Sequence, residues 1–145
     1  MKKTIFILYA LFLSFALFSQ NPIYEIQYTS DPSGDSPLLG ETVTTTGIVT
    51  AVFSSGYFIQ DGTGEWSGIY VYDTNSPELG DELSVTGEVD EYYNLTEIKN
   101  LSDYSVLSSG NELPEVTIIE TGNAGESYES VLISVQNAIC TNADL

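Results

Sequence analysis

Phe58, Tyr70 and Tyr72 stand at alternate positions of two short apolar runs, residues 57–60 and 69–72. Successive side chains of a strand face opposite ways, so if Ile69 and Val71 point inward then Tyr70 and Tyr72 point outward. By the same alternation Phe58 and Gln60 share a face opposite Tyr57 and Ile59. Three outward rings, with Trp66 and Tyr92 near their rim, make a platform for stacking. Each base stacked on such a ring contributes about 1–3 kcal/mol, and uncharged sugar rings stack on Tyr and Trp as well. The plainer use of these residues is to cover a barrel or pack on a neighbouring domain. A second set is acidic. Asp61, Glu65, Asp73, Asp81 and Glu82 fall in or beside the turns around the same runs. Their oxygens suit a hard cation such as calcium, although no D-x-D-x-D-G loop is present. Loop acids equally cap turns or face solvent. No resident cofactor is implied.

Charge narrows the ligand. The 145 residues hold 3 Lys+Arg against 21 Asp+Glu and no His. Two of the three cations are Lys2 and Lys3, ahead of an apolar run from Ile5 to Phe18 and then Ser19-Gln20-Asn21-Pro22. A basic start, an apolar stretch and small residues at its end describe a secretory signal peptide over residues 1–19. The apolar run is too short for a membrane span, which takes roughly 20 residues. The exported chain then keeps Lys99 alone against 21 acids, a formal charge of −20. A His-based triad, a His-ligated zinc site, a Walker-type lysine loop and a basic duplex-binding surface are all excluded within it. Cys140 is the sole cysteine, so no internal disulfide forms.

The elements that must carry these residues are strands. No long amphipathic helical pattern occurs, and the fold class is all-β. Residues 23–28 alternate like an edge or lead-in strand. Residues 29–40 form a loop built on Asp31-Pro32-Ser33-Gly34 and Ser36-Pro37. Five strands are then expected, near 42–52, 57–60, 69–72, 82–91 and 95–107. Leu39-Gly40-Glu41 and its following strand return 40 residues later as Leu79-Gly80-Asp81 and a similar strand. Gly47 and Gly87 sit in the middle of these strands, where a glycine permits the bend a small barrel needs. Beyond residue 108 the pattern changes to a linker, an extended stretch at 113–119, and a strong strand at 131–135 without visible sheet partners. Residues 109–145 are therefore expected to be a linker and the truncated start of a second β module.

Five short strands, a bend at Gly47 and a tip at Asp61-Gly62-Thr63-Gly64 look like a five-stranded OB-fold Greek-key barrel over residues 20–108. The D-G-T-G turn resembles that of OB domains such as those of replication protein A. The blocks Ser36-Pro37-Leu38-Leu39-Gly40, Gly56-Tyr57-Phe58-Ile59-Gln60-Asp61, Ser67-Gly68-Ile69-Tyr70-Val71-Tyr72 and 80–93 with Thr96 are more closely similar to the OB-fold domain of secreted bacterial sugar-nonspecific nucleases. The segment Glu129-Ser130-Val131-Leu132-Ile133-Ser134-Val135 looks like the block that opens the next module in those proteins. The composition also resembles that of exported proteins of the Bacteroidota.

In that family a separate domain performs the metal-dependent chemistry, and this chain shows no part of it. The resemblance thus implies a secreted or cell-surface, non-catalytic accessory module that positions a substrate or a neighbouring domain of the same polypeptide. A carbohydrate- or protein-binding surface module unrelated to nuclease activity is the alternative. The barrel keeps the aromatics of a single-strand binder without its cationic groove. An oligosaccharide, or a single-stranded nucleic acid bridged by a metal ion, is the ligand consistent with this charge.

Overall fold

The computed structural model describes residues 19–139. The expected signal peptide over residues 1–19, apart from Ser19, and Cys140 lie outside this range. Five strands close a barrel: β1 (Thr42–Phe53), β2 (Gly56–Gln60), β3 (Gly68–Tyr72), β4 (Glu82–Glu91) and β5 (Thr96–Ser108), in the order β1-β2-β3-β5-β4. Every pairing is antiparallel except β3 with β5. That order, with a short parallel closure, makes the chain an all-β OB-fold.

Alternation explains the core. Val43, Val49, Tyr57, Ile59, Ile69, Val71, Leu83, Val85, Val89 and Ile98 point inward and are buried together. Each such aliphatic side chain contributes about 1.5–3 kcal/mol on burial. The two sequence-similar turns also find a role. Gly40 N–H donates to Val89 O and Val89 N–H to Glu41 O, while Gly80 N–H donates to Val49 O and Val49 N–H to Asp81 O. β1 and β4 are thus an antiparallel pair related by a local two-fold. Gly40 and Gly80 turn the chain at φ +82° and +84°, where a side chain would be strained.

Three expectations are corrected. Residues 23–28 are not a strand: Ile23–Gln27 forms the short helix α1, whose Ile23 and Ile26 join the core. Its N-terminal Ile23 N–H donates to Asp61 Oδ2 at 2.8 Å, so the D-G-T-G turn anchors the helix. The irregularity in β1 is not at Gly47 but a bulge between Val49 and Ala51. Gly47 instead serves close approach, since a Cβ there would lie 3.0 Å from the Gln60 backbone. Gly87 does lie at a register shift, between β4 and β5.

Finally, the strand expected to lack partners has one. β7 (Ile133–Val135) pairs in parallel with β6 (Thr117–Ile119). The segment leading into β7 packs on the barrel. Trp66 N–H donates to Ser127 O at 2.7 Å, and Leu132 N–H donates to Gln60 Oε1 at 2.7 Å. Ser130 O lies so close to Gly68 that a Cβ there would meet it at 2.1 Å. Among the described residues no helix is long and apolar enough to cross a membrane.

Candidate functional site

The β1 bulge re-aims the end of its strand. Residues 43, 45, 47 and 49 face inward, and unbroken alternation would send Phe53 inward too. The extra residue reverses the sense, so Ala51 pairs with outward Phe58 and Phe53 lies on that outer face. Phe53 meets Phe58 edge-on at 5.8 Å between ring centroids, and Phe58 lies 4.9 Å from Tyr70. Gly56 makes room for this stack, because a Cβ there would fall 2.5 Å from Tyr70 Oη. The Tyr70 hydroxyl shares a hydrogen bond with Ser55 Oγ at 3.2 Å.

The register then extends the row across the sheet. Phe58 is paired with Tyr70, Tyr70 with Glu97, and Glu97 with Asp90. A groove of about 880 Å³ follows this row. Its aromatic side is Phe53, Phe58, Tyr70 and Tyr72, and its charged side is Asp90, Glu97 and Lys99, with Tyr92 and Leu95 at one end. The β1–β2 turn at Ser54 and Ser55 and the β4–β5 loop at residues 92–95 border it. In OB-folds the β2–β3 face between these two loops is where oligonucleotides and oligosaccharides bind.

Electrostatics within the groove are unbalanced. Lys99 Nζ lies 2.5 Å from Asp90 Oδ2, and that contact raises the lysine above its usual range. Glu97 is only 4 % exposed. Burial pushes its carboxyl up, the Asp90 charge adds to this, and Lys99 partly offsets it.

Of the sequence-predicted aromatic residues, Phe58, Tyr70, Tyr72 and Tyr92 line one groove. Trp66 does not. Its backbone is left-handed at φ +62°, which turns the indole away to an edge-on contact with Tyr28. That conformation costs about 1–2 kcal/mol and is accompanied by the Trp66–Ser127 hydrogen bond. The acids Asp61, Glu65 and Asp73 are not drawn together either. Asp61 holds α1, Glu65 accepts from Ser127 Oγ and Asp73 from Asn75 N–H. Among the described residues no group of three acidic, cysteine or histidine side chains is placed to hold one metal ion. Phe53, Asp90, Glu97 and Lys99 are groove residues that sequence reasoning missed. The spacing of Glu97 and Lys99, two apart in a strand, was the available signal.

No family model matches the chain, and no curated protein matches it. Solved structures do resemble it. The hypothetical protein ygiW from E. coli is 22% identical, with 48% of this chain and 77% of that one covered and a TM-score of 0.38. The second OB-fold domain of replication protein A from Methanococcus maripaludis is 20% identical, over 57% of this chain and 97% of that one, with a TM-score of 0.38. A replication protein A heterotrimer bound to single-stranded DNA is 17% identical, over 63% and 83%, with a TM-score of 0.42. The strand order of the barrel carries the fold assignment without them.

A second raised carboxyl lies away from the groove. Glu129 Oε1 accepts the Thr96 N–H at 2.9 Å, and burial brings its carboxyl to about 7, with Glu126 and Glu91 adding repulsion. Thr96 Oγ1 donates to Glu91 Oε1 at 2.7 Å. The first contact joins the segment before β7 to the start of β5, and the second joins that start to the end of β4.

Proposed function

We propose that this chain is an exported, non-catalytic binding module that holds a ligand in the aromatic groove on its β2–β3 face. The observation that carries the reading is the unbroken row Phe58, Tyr70, Glu97, Asp90 between the two bordering loops. Its role is positional, holding a substrate or a neighbouring domain in a secreted multidomain protein of the extracellular-nuclease type. Chemistry in such a protein belongs to another domain.

The groove offers rings for stacking but only one ammonium, already paired, so a polyanion gains little there and meets two carboxylates. Carbohydrate binding is the second reading. Exposed Tyr72 and Tyr92 beside carboxylates favour it, because neutral rings stack without charge repulsion and their hydroxyls can donate to Asp90 and Glu97. Titration of the exported chain with neutral oligosaccharides and with single-stranded DNA, each with calcium and with chelator, tests both. Saccharide binding that depends on Tyr72, or DNA binding that needs calcium, supports a binding module. Hydrolysis of either polymer by the chain would overturn the non-catalytic role.

A further inference from the structure

We infer that the groove accepts an organic ammonium group on a flexible carbon stem, as carried by a polyamine or a lysine side chain, with Tyr70 and Tyr72 receiving the stem and Glu97 the charge. The inference rests on the groove being a binding surface and names the chemistry that surface selects.

Glu97 is the reason. A carboxylate removed from water needs a counter-charge or several hydrogen bonds, and leaving it without them is costly. Glu97 is 4 % exposed and lines the groove; its oxygens are not among the fully enclosed atoms without a partner, so the exposure that remains lies at a carboxylate facing the groove. The one nearby cation, Lys99, is held by Asp90 at 2.5 Å and is drawn also toward Glu88. Asp90, Glu97 and Glu88 thus share a single ammonium.

A second ammonium entering the groove supplies the missing charge. The same position is flanked by Tyr70, directly paired with Glu97, and by Tyr72 two residues on. Ring faces attract cations, and more strongly where water is excluded. A neutral sugar could accept or donate hydrogen bonds here but would leave the charge unmatched, and a phosphate would add to the imbalance. The large negative charge of the whole chain draws cations toward it.

The test is a titration of the exported chain, followed by calorimetry and by NMR shifts, with four probes. They are spermidine, an unstructured lysine-rich peptide, the same peptide acetylated on its lysines, and a neutral hexasaccharide. The expected result is that an unacetylated amine shifts the resonances of Tyr70, Tyr72 and Glu97. Lysine acetylation and Glu97→Gln each weaken binding at least tenfold. Glu97→Gln removes a buried charge and keeps the shape, so the barrel stays folded. Glu115→Gln removes the same charge outside the groove and leaves affinity within twofold. Response to spermidine alone supports the site with a free amine as its source, and response to the peptide as well supports a lysine side chain. Equal affinity for both peptides, or affinity unchanged in Glu97→Gln, overturns the inference. Tyr72-dependent binding of the hexasaccharide without any ammonium preference overturns it while leaving the groove a binding surface. If no probe moves Tyr70 or Tyr72, both readings fail.

Discussion

The outer face of β2 and β3 has one end covered by the protein's own chain and one end open. At the covered end Gln60 and Gly68 lie under residues 130–132, and Gln60 Oε1 takes the Leu132 N–H. Its amide donates to Gly62 O and Ser67 Oγ, so this buried polar side chain is satisfied at both ends. At the open end Tyr72 is exposed, Tyr70, expected to face outward, is buried beside Phe58, and the carboxylate of the 4 % exposed Glu97 borders the groove. Enclosed polar groups are mostly met, although Gln27 Oε1 and Ser130 Oγ at the covered end are not.

The strongest way to break this contrast is to lift the cover. Gly68→Ala places a methyl where Ser130 O now sits, and Gln60→Ala removes the acceptor of Leu132 N–H. Each is expected to cost about 1–3 kcal/mol in urea unfolding. Neither should alter binding in the groove.

The pH dependence of stability sharpens it next. Glu129 at the covered end keeps its proton to about 7 when folded, against an ordinary 4.5. Between those values the unfolded chain has lost the proton and the folded one has not, so stability falls as pH rises through this window and levels off above it. Raised Glu97 contributes with the same sign. Glu129→Gln should flatten the fall and be more stable than wild type at pH 8, by about 1–2 kcal/mol after allowance for solvent screening. Its new amide can also meet Gln27 Oε1, which is buried without a partner among the described residues. Denaturant midpoints from pH 4 to pH 8 check this.

Tyr72→Ala acts on the open end alone. Its ring is 55 % exposed, so stability should shift by no more than about 0.5 kcal/mol. Ligand affinity should nevertheless fall about tenfold, or ~1.4 kcal/mol, by titration calorimetry. The smallest effect is expected at Tyr93, 88 % exposed in the β4–β5 loop and outside the groove lining. Tyr93→Ala should change stability by less than about 0.5 kcal/mol and leave affinity within twofold.

Much of the open face was legible because a strand's period of two depends only on order along the chain. Ile69 and Val71 inward leave Tyr70 and Tyr72 outward, and the five strand positions followed from apolar runs between turn residues. What escaped depended on single-residue departures from regular geometry. The bulge that sends Phe53 outward has no distinctive sequence, being set by pairing with β2. The left-handed Trp66 required knowledge of its contact to Ser127, 61 residues away in the chain. For α1, Ile23, Ile26 and Gln27 do fit a helical spacing, but five residues also alternate well enough to read as a strand. Glu97 and Lys99 acquired meaning only once β3 and β5 were known to pair.

An NMR titration of residues 20–145 with a single-stranded oligonucleotide at low salt in chelator, beside a neutral oligosaccharide, asks most directly whether the groove turns a polyanion away. The oligonucleotide is expected to leave Phe58, Tyr70 and Tyr72 unmoved. Tight, salt-sensitive binding of the nucleic acid to those three rings without a divalent ion would contradict that expectation.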